Sequence, residues 1–295
     1  MRWTFLPAIL LFILPLAHFQ NQPTVPIVQI QIESQFPTAY GLAWSPDGEI
    51  LAVSAGGEII FYNSTLDEVL HRWVIKKGAL NASWSPDGKQ IAVVSGFRNH
   101  DVIIGNWDVA EQNIVSERVL KGASSQNQYV VSWSLDGAQL ATLADDRKAE
   151  IQFWDMETEK PTTHLELSYA NPLRSLLWNA ESKVLTGAGM VEQSDVSLFS
   201  IDSASGDVAQ GVALPQKTAA FDMLAEPLSL AAVNEDGSVR ITNAENQQTL
   251  FEFQSVTEPT AIAWKPTGDK LAVLGYHSVL QLWDTTFLTS EELTP

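Results

Sequence analysis

The chain of 295 residues contains no cysteine. That excludes disulfide stapling, thiolate nucleophiles and cysteine-ligated metal together, so the fold must stand on its own hydrophobic core. Histidine is scarce too, at five residues. His18 lies in the apolar N-terminal stretch, while His71 and His164 alternate with apolar neighbours as residues of outer strands do. Cations are few: 17 Lys and Arg stand against 35 Asp and Glu, for a formal net charge of -18. Such a field repels phosphate backbones and anionic lipid surfaces, so nucleic acid is not an expected partner. The chain also lacks G-x-S-x-G, the P-loop, G-x-G-x-x-G and H-E-x-x-H, the most readable signatures of hydrolases, nucleotide sites and metalloproteases.

A long apolar run occurs at the N-terminus, from Trp3 to Ala17 after the cation Arg2. It has the layout of a secretory signal and, at that length, falls short of the roughly 20 residues of a spanning helix. Residues 1–22 are therefore expected to be a signal peptide or an N-terminal membrane anchor, leaving residues 23–295 as one domain outside the cytoplasm. The lack of cysteine in an exported chain suits a bacterial host, and the acceptor-like triplets at Asn63 and Asn81 are read as chance.

What is present is a fixed turn. WSPDG stands at 44–48 and again at 84–88, with WSLDG at 133–137, WKPTG at 264–268 and degenerate copies at Trp178 and Phe221. The anchors Trp44, Trp84, Trp133, Trp178, Phe221 and Trp264 lie 40, 49, 45, 43 and 43 residues apart, a period that marks a repeat array. Serine accepts from the backbone, proline presets φ, aspartate suits the third position and glycine takes the left-handed conformation that starts the return strand. The aspartates of these turns are accordingly structural. After each anchor come an alanine-bearing β run, a polar loop, and a second β run that often ends on an aromatic and an acid; a third run follows in most units. Four strands per unit of about 44 residues is the content of one propeller blade. VPIVQIQIE at 25–33 alternates as a strand with no unit of its own, and the last unit lacks a fourth strand. The expected fold is an all-β propeller of six four-stranded blades, closed by the N-terminal strand pairing with the last blade so that two sheet edges disappear.

The turn, the alanine-bearing strand after it, and the endings Trp107-Asp108, Trp154-Asp155 and Trp283-Asp284 resemble the WD40 repeat family over roughly residues 25–286. The Gly-His pair that opens many family repeats is missing, and units four and five end in Ile201-Asp202 and Thr242-Asn243. Seven blades is the commonest number in the family, against the six anchors counted here. WSPDG is also similar to the repeats of TolB-type periplasmic propellers, although the Trp-Asp endings favour WD40. The resemblance implies a non-catalytic platform that holds a protein or peptide partner on the face made by the loops between second and third strands and by the interblade loops.

Those loops carry the candidate partner-binding residues: Arg98, Asn99 and His100 in unit two, Asp146 and Arg147 in unit three, Glu192 and Asp195 in unit four, Asp236 in unit five, and Tyr276 and His277 in unit six. A repeat array brings equivalent loops to one rim, and Arg and aromatic side chains dominate interface energetics. A second possibility places Asp146, Glu192, Asp195 and Asp236 around Ca²⁺, as in a propeller hydrolase or lactonase. The expectation is a monomeric, non-enzymatic interaction module without cofactor; the alternatives are that hydrolase and a TolB-like accessory of an envelope complex.

Overall fold

The computed structural model describes residues 25–35, 38–95, 101–121, 128–144, 150–167, 175–179, 183–191, 195–214, 217–224 and 228–289. The proposed N-terminal segment, residues 1–22, lies outside them. After the lone strand β1 (Val28–Gln31), blade one comprises β2 (Gly41–Trp44), β3 (Ile50–Asn63) and β4 (Val69–Ala79). Blade two is β5 (Asn81–Trp84), β6 (Gln90–Val94), β7 (Val102–Asp108) and β8 (Asn113–Leu120). Blade three is β9 (Gln128–Trp133), β10 (Gln139–Ala144), β11 (Glu150–Asp155) and β12 (Lys160–Glu166). Blade four is β13 (Leu176–Trp178), β14 (Val184–Val191), β15 (Asp195–Asp202) and β16 (Val208–Ala213). Blade five is β17 (Thr218–Leu224), β18 (Ser229–Asn234), β19 (Ser238–Asn243) and β20 (Thr249–Gln254). Blade six is β21 (Pro259–Trp264), β22 (Lys270–Gly275) and β23 (Val279–Asp284), followed by the short helix α1 (Thr286–Thr289).

The ring has six blades and closes as expected. Strand β1 pairs antiparallel with β23, Val28 opposite Leu282 and Ile30 opposite Leu280, and becomes the outer strand of blade six. Blade one departs from four separate strands. Its segment β3 fills both middle positions, pairing with β2 through Leu51–Ser54 and with β4 through Gly56–Tyr62, and the second stretch opens on Gly56, left-handed at φ 66°.

The quoted turn behaves as its chemistry requires. Gly48, Gly88 and Gly137 are left-handed at φ 72°, 69° and 74°. Each donates its N–H to the carbonyl of the serine three residues earlier, at 2.8, 2.9 and 3.0 Å. The serine hydroxyls of Ser85 and Ser134 donate to Asp87 and Asp136 at 2.7 Å, and accept from the N–H that opens the next strand, Gln90 and Gln139, at 2.9 and 2.8 Å. The hydrogen bond from Ser85 holds the Asp87 carboxyl below its ordinary range. These aspartates fasten hairpins. The acid or amide that ends each third strand does comparable work: Asp108 accepts from Ala110 and Glu111, Asp202 from Ala204 and Ser205, and Asn243 from Glu245 and Asn246. The eroded endings of units four and five thus keep the part of the motif that caps a turn.

Packing explains why the anchor is so often tryptophan. Each anchor sits in the seam against the preceding blade: Trp44 with Leu274 and Leu280 of blade six, Trp84 with Ile59 and Phe61 of blade one, Trp264 with Val233 and Ile241 of blade five. Burying a ring that large gives each seam a substantial share of its hydrophobic stabilisation. One anchor was expected at the wrong residue. Met223 pairs with Leu230 just as Trp44 pairs with Leu51 and Trp264 with Leu271, so Met223 holds the anchor position of blade five. Phe221 pairs with Ala232 and takes the place of Leu42 and Ile262. A two-residue offset keeps the side chain on the same face of a strand, so periodicity alone does not separate the two positions.

Candidate functional site

Two features of the ring can receive something from outside: the loop face and the central channel. On the loop face, Tyr276 and His277 form the hairpin tip of blade six between β22 and β23, at the left-handed Ser278. Tyr276 is 44% exposed, a high value for a large side chain with an apolar ring. Its ring meets that of His277 edge to face at 5.6 Å. The tip is held from behind: the Tyr276 N–H donates to the Glu258 carbonyl at 2.8 Å, the Glu258 carboxylate lies 3.6 Å from His277 Nε2, and Gln31 Nε2 donates to the His277 carbonyl at 2.8 Å. The aromatic pair is thus carried by a fixed backbone at the blade that β1 closes.

Asp236 in the neighbouring blade is engaged in its own turn. Its Oδ1 accepts from the Ser238 hydroxyl at 2.7 Å and the Ser238 N–H at 2.9 Å, and these bonds, the hydroxyl first, hold its carboxyl below the ordinary range. Arg98, Asn99, His100, Asp146, Arg147 and Glu192 lie outside the described residues, and Asp195 begins β15. Among the described residues no three His, Asp or Glu side chains group closely enough to hold a metal ion. His71 and His164 sit on outer strands: His71 packs on Phe61 with burial lowering its pKa, and His164 Nε2 lies 3.2 Å from Glu150. Sequence reasoning missed Glu58 and Arg72 of blade one. Glu58, in the second half of β3, accepts from Arg72 at 3.0 Å and from Ser34 at 2.9 Å. With only two glycines where other units have a polar loop, nothing in the repeat flagged it.

The channel is built by the innermost strand of each blade and encloses a cavity of about 480 Å³. One register position recurs beside the anchor, occupied by Ala43, Ser83, Ser132, Leu177, Asp222 and Ala263, each opposite the second residue of the following strand's L-A motif or its equivalent. These residues also stitch the blades. Trp44, Trp84 and Trp178 donate their indole N–H to the carbonyls of Ala263, Ala43 and Ser132 in the preceding blade, at 3.3, 3.2 and 3.2 Å. Between blades two and three, Ser83 Oγ accepts the Trp133 N–H at 3.0 Å and Asn81 Oδ1 accepts the Val131 N–H at 3.1 Å. An inner strand has a free edge, and side chains of the neighbouring blade satisfy its donors. At the seam of blades five and six this acceptor is a carboxylate: Asp222 Oδ2 takes the Trp264 backbone N–H at 2.7 Å and Oδ1 the Met223 N–H at 2.8 Å, while the buried Trp264 indole N–H has no partner among the described residues. Burial pushes the Asp222 pKa up to about 7, against the lowering effect of its two backbone bonds.

Comparison with known proteins agrees with this architecture. A family model described as eukaryotic translation initiation factor eIF2A matches residues 16–152, just under half of the chain. No curated protein sequence matches. Among solved structures, a chain of the mitotic checkpoint complex superposes with a TM-score of 0.64 at 17% identity, covering 95% of this chain and 98% of that one. The β-propeller domain of Cps50 (Swd1) from Myceliophteria thermophila gives 0.60 at 14% identity over 83% and 82%. A chain of hydrazine synthase from Kuenenia stuttgartiensis gives 0.60 at 13% identity over 87% and 98%. At these identities the likeness is one of fold.

Proposed function

We propose, starting from a chain that is a six-bladed WD40-type β-propeller, that it is a protein-interaction module that receives a protein or peptide on its loop face. The observation that carries this reading is the exposed Tyr276 and His277 pair, held on a fixed hairpin tip. A preordered aromatic loses little conformational entropy on binding and offers large contact area, which is why such residues become interface hot spots. The similar propeller whose name places it in an assembly, the chain of the mitotic checkpoint complex, lends the same support by analogy of fold. The arginines and histidine of the blade-two and blade-three loops, Arg98, His100 and Arg147, belong to the same proposed face.

A metal-dependent hydrolase is the less favoured reading. Its one carboxylate with a described side chain, Asp236, spends its oxygen on Ser238, and fold alone does not exclude other chemistry. Export through residues 1–22 is part of the proposal, on the layout of Arg2 and the apolar run after it. The test is capture: the chain with Arg98, His100, Arg147 and Tyr276 all replaced by Ala is compared with the natural chain against envelope extracts, with circular dichroism and melting as folding controls. A partner retained by the natural chain and lost by the folded variant supports the reading. A partner indifferent to all four substitutions overturns this face, and mass spectrometry of the N-terminus in cell fractions decides export.

A further inference from the structure

The channel contains a charge that its architecture does not require. At the position beside the anchor, the other five blades are neutral: Ala43, Ser83, Ser132, Leu177 and Ala263. Ser83 shows what the seam needs, since its hydroxyl alone accepts the Trp133 N–H at 3.0 Å, the counterpart of the bond Asp222 makes to Trp264. Asp222 supplies the same acceptor with a full negative charge added, half-buried in the channel wall. Among the described residues lining the cavity it is the one carboxylate, and no lysine, arginine or histidine lines it. The wall is mixed, with Leu177, Phe221, Ile262 and Ala263 beside neutral polar residues such as Ser132 and Ser175.

We propose that the central channel is a binding site for a small organic cation, an alkyl- or arylammonium whose charged head pairs with Asp222 and whose apolar body fills the lumen. A cavity of about 480 Å³ is in the range of small-molecule sites, which are largely apolar with a few placed polar groups. A partly desolvated carboxylate with two backbone N–H bonds and no cation among the described lining residues is under-compensated, and an ammonium group brought into the lumen restores the balance with a charge-assisted hydrogen bond. The upward displacement of its pKa reflects that same lack of compensation. A single carboxylate is a poor metal site but sufficient for one ammonium.

The repeat supplies its own control. Asp222→Ser keeps a hydroxyl acceptor for Trp264 as Ser83 does for Trp133, and removes the charge together with the oxygen that accepts the Met223 N–H. The full-length chain is titrated calorimetrically with benzylammonium chloride and with its neutral counterpart, benzyl alcohol. The natural chain is expected to bind benzylammonium about tenfold more tightly than the alcohol or better, the factor corresponding to roughly 1.4 kcal/mol, and Asp222→Ser to bind both equally at the weaker level. Asp222→Asn is the second variant should the serine form fail to fold. No saturable binding of benzylammonium, equal affinity of the natural chain for both probes, or undiminished ammonium binding by a folded variant would each overturn the site. None of these outcomes touches the loop face, so the two proposals fail separately.

Discussion

At the scale of single residues, two kinds of position give sharp expectations. Gly88 is left-handed at φ 69° with open space around it, the nearest heavy atom to an added Cβ being Pro46 Cδ at 3.8 Å. Gly88→Val therefore costs backbone strain alone, on the order of 1 to 3 kcal/mol. Gly237, at φ 85°, would in addition drive a Cβ to 2.1 Å from the Val256 carbonyl oxygen, so Gly237→Ala is expected to lower the urea midpoint more than Gly88→Ala does. Equal midpoints would contradict the steric assignment. Asp222 sets a pH dependence whose sign follows from its pKa, up to about 7 in the folded state against an ordinary 3.8. The folded protein binds this proton more tightly than the unfolded chain, so the contribution is fully present below about pH 4 and is lost as pH rises through about 7. Replacing Asp222 by Ser should accordingly leave the variant more stable than the natural chain at pH 8, on the order of a few kcal/mol, with the difference shrinking toward pH 4. Urea midpoints at the two pH values measure it.

At the scale of elements, the six seams are unequal. Five are filled by an anchor tryptophan, while the seam between blades four and five has Met223, and its buried cluster is reduced to Leu214, Phe221, Leu230 and Ala232. A cavity of about 220 Å³ opens there, lined in part by Leu198, Leu214 and Met223. Met223→Trp restores the residue that the repeat uses elsewhere, and filling the apolar side of this cavity is expected to raise the melting temperature by a few degrees. A fall instead would mean that the seam has collapsed around methionine and cannot take the ring.

At the scale of the molecule, closure is the vulnerable point. Strand β1 covers the edge of β23, and its residues Val28 and Ile30 pack with Leu280 and Leu282 on the core shared by blades six and one. Ile30→Pro removes an amide donor and an apolar side chain from the strand at once. The exposed edge of β23 should then pair with other chains, so this variant is expected to melt lower and to elute as higher-order species in size-exclusion chromatography, whereas Gly88→Val, whose hairpin leaves the ring closed, stays in the form of the natural chain.

The ring itself was legible in the sequence because its signals are local. The serine, aspartate and glycine of the turn act within five residues, tryptophan recurs where a seam must be filled, and β1 alternates where its one buried face demands it. Even the blade count and the closing strand followed from those. Three things needed the tertiary structure, each because it depends on what lies across a gap in sequence. Only strand pairing could tell that Met223 and not Phe221 is the fifth anchor, since both face the same way. Only the seam could show that Asp222, inconspicuous in AAFDMLAEP, is a carboxylate desolvated beside Trp264 forty-two residues later. And the rim residues Glu58 and Arg72 meet through strands β3 and β4, where the sequence offers two glycines and no motif: what a turn does is written in its own residues, whereas what a channel wall presents is decided by six blades brought together.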